Sequence, residues 1–170
     1  MKKFYLLTLA LAFSLDFAQV AIGKTTLESA SSSLEFGPEN RGLVLPWTTS
    51  AASVTDVVNG TLIFDINDKK TKVYSGNAWK DLTVNSDGAA DATLQDGLTE
   101  RQSAKISVGA VTSTPGILVL EDTNRAMILP KVAYAYLNII EPAPGMLVYD
   151  PVKKMLLVFN GTVWTFWKAS

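Results

Sequence analysis

The sequence predicts a mainly β protein: two tandem, homologous modules of hairpins and meanders, joined by a polar linker with room for one short helix. Three observations predict it. Val20 to Pro46 lies over Ala104 to Pro130 without a gap, matching Ile22 to Ile106, Leu34 to Leu118, Asn40–Arg41 to Asn124–Arg125 and Leu45–Pro46 to Leu129–Pro130. After a shift of one residue, Gly60 to Trp79 lies over Gly145 to Trp164. In both copies, short β-branched and aromatic runs are punctuated by Gly, Pro, Asn and Asp, the residues that set turn geometry.

The chain opens with Lys2–Lys3, an apolar run from Phe4 to Phe13 and small residues near Ala18, the layout of a secretory signal over residues 1–18. That run is shorter than the roughly 20 residues a membrane-spanning helix needs, and no later stretch reaches that length. The first module is expected over 20–82, the linker over 83–103 and the second module over 104–170.

Within each module the elements follow one order. Ser33–Phe36 and Leu43–Leu45, separated by Gly37-Pro38-Glu39-Asn40, read as a hairpin, as do Ile117–Leu120 and Met127–Leu129 around Glu121–Asn124. Pro46 and Pro130 stop the second run, because proline lacks the N–H a continuing ladder needs. Thr48 to Val58 has helical spacing for one or two turns, whereas Val132–Leu137 fits strand equally well. Pro142 and Pro144 end whatever precedes them. Leu62–Phe64 and Lys72–Tyr74, with counterparts Leu147–Tyr149 and Leu157–Phe159, flank Asn/Asp/Pro-containing loops and predict β-hairpins. Trp79 and Trp164 then start a third strand, completing a meander.

In the linker, Asn85 to Asp91 is small, polar and turn-prone, which suggests a flexible joint. Leu94, Leu98 and Arg101 mark one side of the expected short helix. Met155 to Phe159 shows no alternation, so both faces of that strand need apolar cover. Module one, a second copy or another protein are the three candidates for that cover.

Composition removes several functions. The chain has no His and no Cys, which takes away the commonest general base, the thiol nucleophile and the preferred zinc ligands. Without Cys there are neither disulfides nor a lipidated cysteine. With 15 basic against 16 acidic residues the net charge is −1, and no basic stripe exists for nucleic acid. Gly23-Lys24-Thr25-Thr26 lacks the earlier glycine and the strand–helix context of a phosphate loop. Asp65-Ile66-Asn67-Asp68 lacks the glycine and distal glutamate of a calcium loop. Asp65 and Asp150, the repeated acids, sit where a strand enters its turn, and they read as turn caps rather than a catalytic pair. Asn59-Gly60-Thr61 and Asn160-Gly161-Thr162 fit the glycosylation pattern, but Asn–Gly is also a turn dipeptide.

No enzyme, metal or cofactor is therefore expected. The repeat-defining positions Asn40, Arg41, Pro46, Gly60, Asp65, Trp79, Asn124, Arg125, Pro130, Gly145 and Asp150 read as structural. Trp164, Phe166, Trp167, Tyr134 and Tyr136 are the candidate contact residues, since aromatic side chains are favoured at interfaces and stack on sugars. Trp79 and Trp164 are expected to close their meander cores. Trp167, whose counterpart is Leu82, is expected to face outward.

Gln19-Val20-Ala21-Ile22-Gly23-Lys24-Thr25-Thr26, Arg41 to Pro46, Gly60 to Asp65 and Val73 to Trp79 resemble the opening of secreted proteins of Bacteroidetes, particularly flavobacteria. The meander is similar to repeats in tail-fibre-like and adhesin-like proteins. That resemblance implies an exported surface or fibre component, extracellular, on the cell surface or in the periplasm. It acts through β-surface association with a protein partner or with itself, trimers being among the forms such proteins take. A carbohydrate-binding module using exposed Trp and Tyr is the alternative, with a glycan as partner.

Overall fold

The computed structural model describes residues 19–168, except 94, 96, 100 and 102. The signal expected over 1–18 lies outside the described residues, and so does Leu94 of the expected linker helix. The fold is mainly β, with thirteen strands in four sheets among the described residues.

Both meanders form. β5 (Leu62–Asp65), β6 (Lys70–Ser75) and β7 (Ala78–Asp81) run antiparallel, and β11 (Met146–Asp150), β12 (Met155–Phe159) and β13 (Trp164–Trp167) repeat them. Leu62 lies opposite Val73, as Leu147 lies opposite Val158. The two loops turn through equivalent left-handed lysines, Lys69 (φ 58°) and Lys154 (φ 56°).

Each meander's first strand ends in a buried carboxylate that gathers backbone donors. Asp65 accepts the N–H of Asp68 at 3.0 Å and of Ala51 at 2.7 Å. Asp150 accepts Val152, Lys153 and Tyr134 N–H at 2.9, 3.0 and 2.9 Å. Both acids thus fasten the turn to a neighbouring helical segment. In the first half that segment is a single 3-10 turn, Ala51–Ser53, and Val54 to Val58 lie outside it. In the second it is α1 (Ala135–Asn138).

The expected hairpins do not form. β2 (Ser32–Phe36) pairs in parallel with β1 (Val20–Ile22) on one edge and with β10 (Ala126–Met127) on the other. β3 (Leu43–Val44) leaves it and runs antiparallel to the start of β11. β8 (Ile106–Gly109) and β9 (Leu118–Glu121) form a parallel pair. The halves therefore exchange strands: β3 of the first completes an edge of the second, and β10 of the second completes an edge of the first. A local hairpin loses here because the β11 edge requires both hydrogen-bond partners and apolar cover, and β3 supplies both.

The prolines act through their carbonyls. Pro46 O accepts Phe64 N–H at 2.9 Å and Pro130 O accepts Tyr149 N–H at 2.9 Å. β4 (Trp47–Thr48) extends this contact into a parallel pair with β5, reduced in the second half to a bridge between Lys131 and Tyr149.

Strand register also corrects the gapless alignment. Val20 lies opposite Leu34, while Ile106 lies opposite Leu118, so the counterpart of Ile106 is Val20 and not Ile22. Val20-Ala21-Ile22-Gly23 matches Ile106-Ser107-Val108-Gly109, each ending in a glycine of positive φ (74° and 98°). The loop that follows is two residues shorter in the second half.

Sheet β11–β13 is covered on both faces. Met146, Val148, Leu157 and Phe159 face a core with Val132, Ala135 and Ile139 around α1. Leu147 and Val158 face Leu45 and Leu62 of the first half. Module one is thus the cover for one face. Trp47 adds a hydrogen bond from its indole N–H to Pro144 O at 2.7 Å.

The start of the 83–103 stretch is not a free joint. Asn85 O accepts Asn160 Nδ2 at 3.3 Å and Asp87 O accepts the Thr162 hydroxyl at 2.9 Å. Gly88 is buried between the two halves, where a Cβ would sit 2.2 Å from Asn160 O and 2.7 Å from Lys69 O. Small residues serve close approach here. Gly88→Ala is expected to lower stability by about 1–3 kcal/mol, because both neighbours are backbone and neither can swing aside. Chemical denaturation measures it, and an unchanged midpoint would contradict the packing.

A buried ionic cluster organises the first crossover. Glu35 accepts Glu28 N–H at 2.8 Å, Lys24 Nζ at 2.7 Å, the Ser32 hydroxyl at 2.5 Å and Ser29 N–H at 3.0 Å. The Glu28 N–H, then Lys24 and Ser32, hold its carboxyl down to about 2 against the opposing effect of burial. A depressed carboxyl contributes stability that is full above its ordinary value of 4.5 and is lost as pH falls toward 2. Glu35→Gln should therefore melt lower than the parent at neutral pH, with a shallower fall between pH 4.5 and 2, read by thermal melts across that window.

Candidate interaction surface

The structure separates the five aromatic candidates into four settings. Trp164 lies inward, its ring 5.1 Å from Phe159 against the core around α1. Trp79 makes the equivalent pair with Tyr74 at 5.3 Å. This cross-strand aromatic contact recurs in both meanders, where it ties the third strand to the second.

Phe166 and Tyr136 meet edge to face, with centroids 5.7 Å apart and planes at 77°. The α1 side chains Tyr136 and Leu137, with Ile140 just beyond and Phe166 on β13, are 37 %, 69 %, 87 % and 49 % exposed. Tyr136 and Phe166 meet as an exposed apolar pair, and Leu137 and Ile140 are exposed apolar residues on the same stretch of chain as Tyr136. Tyr134, in the left-handed region before α1 (φ 50°), lies under Lys153 Nζ, 5.5 Å from its ring centre.

Trp167 is on the other side of the sheet. Phe166 lies opposite Leu157, whose side chain joins the α1 core, whereas Trp167 lies opposite Leu156 of the other face. Its ring is 45 % exposed, and its indole N–H donates to Leu82 O at 2.7 Å. It joins the end of β13 to the end of the first meander while remaining partly exposed. Trp167 and Phe166 therefore do not share a surface, and the Tyr136–Phe166 pair, at 77°, offers no single flat stacking plane.

The other repeated positions hold the backbone. Gly60 and Gly145 donate equivalent N–H bonds, to Tyr74 O at 2.9 Å and Phe159 O at 2.8 Å. Arg41 pairs with Glu39 in solvent, and Arg125 with Asp122 in a more sheltered position. Asn40 and Asn124 are exposed in the turns beside them. Such surface pairs contribute about 0–1 kcal/mol, so their recurrence is not explained by their energy. Asn160 is fully buried, with Oδ1 accepting Thr162 and Val163 N–H, so its amide is unavailable for a glycan in the folded chain.

Among the described residues, the repeated acids are committed to the backbone. Both oxygens of Asp65 and of Asp150 accept backbone donors. Asp68 and Asp81 face Lys72, which burial opposes but which these acids hold above the usual lysine range. A cavity between the Val54–Val57 loop, Thr61 and Pro115–Gly116 holds about 50 Å³, well below the roughly 300–1,000 Å³ of small-molecule sites. No helix of the described residues is long and apolar enough to cross a membrane.

Residues 107–169 match the family model described as a phage tail like trimerisation region. No curated protein and no solved structure matches the chain. The matched residues run from β8 to the end of β13 and include the Tyr136–Phe166 surface. The match supports the tail-fibre-like resemblance of the repeats and points to a structural, oligomer-forming protein. Sequence reasoning named Tyr136 and Phe166 but missed Leu137 and Ile140, whose apolar character in the stretch before Pro142 was the available signal.

If this surface is held open by the fold rather than needed for it, polar substitution there leaves the folded chain alone. Leu137→Ser is expected to change stability by less than about 0.5 kcal/mol. Val148→Ser, on the buried strand behind it, is expected to cost about 3 kcal/mol or more. Equal losses in paired denaturation curves would contradict the assignment.

Proposed function

We propose that the chain is an exported, non-catalytic structural or adhesive component of the cell exterior that works by assembling with copies of itself into trimers. The observation that carries this reading is the coincidence of the trimerisation-region match with the half of the chain that exposes Tyr136, Leu137, Ile140 and Phe166. Apolar groups of this size lose water contact favourably, by about 25 cal/mol per Å² buried, which is the force association draws on.

The export layout of residues 1–18 and the resemblance of the opening to secreted Bacteroidetes proteins support a location outside the cytoplasm. Cell fractionation of a tagged chain tests that part, and a cytoplasmic pool alone would refute it. Light scattering on the purified chain tests assembly. The expected mass is three times that of the 18.4 kDa chain or of its processed form. Tyr136→Ser with Phe166→Ser should weaken assembly about tenfold or more while leaving the melting temperature nearly unchanged. A monomer at every concentration would defeat the proposal.

A further inference from the structure

We infer that a second copy of this chain adds its β3 edge, in parallel, to the open edge of β9, head to tail. This rests on the self-association proposed above and names a surface that carries it.

The argument starts from an interface already inside the chain. β2 takes β10 as a parallel neighbour, with Ala126 N–H donating to Ser31 O and Ile128 N–H to Leu34 O, both at 2.9 Å. In the repeat, β9 is the counterpart of β2, with Leu118 in the place of Leu34. β3 is the counterpart of β10, with Gly42 in the place of Ala126 and Val44 in that of Ile128. The chain therefore carries one filled copy of this pairing. The two halves of a second copy are both present and apart.

Both halves have the geometry to pair. On β3, Leu43 lies opposite Leu147 and Leu45 N–H donates to Gly145 O at 3.2 Å, so the odd-numbered positions face β11. Alternation turns Gly42 and Val44 to the other edge. On β9, Ile117 O accepts Ile106 N–H at 2.8 Å and Glu121 O accepts Ala110 N–H at 3.3 Å, so its odd-numbered positions face β8. Leu118 is then directed to the opposite edge, where no strand among the described residues pairs with it. The acceptors corresponding to Ser31 and Leu34 are the carbonyls of Pro115 and Leu118.

The side chains agree with this pairing. Val44, Ile117 and Leu118 are 42 %, 60 % and 40 % exposed, three apolar residues flanking two unpaired edges. Pro115 enters this pairing only as an acceptor, for which proline is competent, and exposed strand edges with unpaired backbone groups are templates for another strand. The in-chain candidates do not fill the β9 edge, because β10 lies on β2 and β3 lies on β11. Because head and tail differ, the contact is heterologous, and such contacts close into a ring or continue as a filament according to the rotation between copies.

The absence of cysteine makes the test clean. Val44→Cys and Leu118→Cys are made separately in the full chain, with circular dichroism confirming the fold, and are treated with a short bismaleimide alone and mixed. The expected result is a covalent dimer in the mixture and little from either variant alone. Light scattering is run in parallel on the parent chain. Assembly without cross-linking in the mixture would overturn the edge pairing and leave self-association standing. Either variant cross-linking to itself as well as in the mixture would also overturn it. A strictly monomeric parent would remove both.

Discussion

Leu157 and Val158 are adjacent in sequence and wholly buried on opposite faces of one sheet. Most of the architecture is a response to that fact. A strand buried on both sides needs two apolar covers, and a three-stranded meander by itself has none. α1 and the residues around it supply one, and Leu45 and Leu62 of the first half supply the other. The second cover cannot be delivered by the second half alone, which explains why the chain runs β3 across to β11 rather than folding it back on β2. Strand exchange is thus the means by which a duplicated unit acquires a core larger than either copy provides.

The exchange also accounts for the small residues at the junction. Gly88 and Gly161 sit where backbone meets backbone, against Asn160 O and Ala89 O respectively. The buried Asn160 fastens the junction from the other side, because its amide satisfies Asn85 O while its oxygen closes its own turn. At the far end Lys131 reaches Glu28 at 2.6 Å, and Glu28 shares Lys24 with the buried Glu35. The halves are therefore joined by hydrogen bonds, apolar packing and one ionic chain, three kinds of contact at different places.

How much of this was legible in the sequence depends on how local each interaction is. The meanders were legible because β-branched runs, turn residues and the recurring Asp and Trp all lie within twenty residues of one another. The hairpins around Gly37–Asn40 and Glu121–Asn124 were misread because an apolar run followed by a turn looks the same whether the next strand returns or departs. The partner of Leu43 is Leu147, a hundred positions away, and nothing near Leu43 records it. The two-residue shift between Val20 and Ile106 was hidden for another reason: a shift of two preserves which face each side chain occupies, so the pattern survives it. Asn85 to Asp91 reads as flexible because small residues permit both freedom and close approach, and only the neighbours decide. Of the aromatic candidates, Tyr136 and Phe166 are the two whose rings meet while staying partly exposed. That Trp167 shares a strand with Phe166 but not a surface required the register against β12.

A duplicated sequence placed in one chain cannot satisfy both of its copies in the same way. Within the described residues, the pairing of β2 with β10 and its counterpart are therefore not both filled. Among the described residues, β2 holds β10 while no strand pairs with the matching edge of β9, and β11 holds β3 while no strand pairs with the other edge of β3. In a closed monomer these leftover edges would be a hazard, and natural sheets blunt them with charge, proline or a covering loop. Here Leu118 and Val44 do none of this. The asymmetry is intelligible if the successor of the second half is the first half of another molecule. Backbone pairing then sets the register, and exposed apolar residues provide the driving force. No reactive side chain is required for such work, and the buried acids Glu35, Asp65 and Asp150 hold backbone and ammonium groups in place.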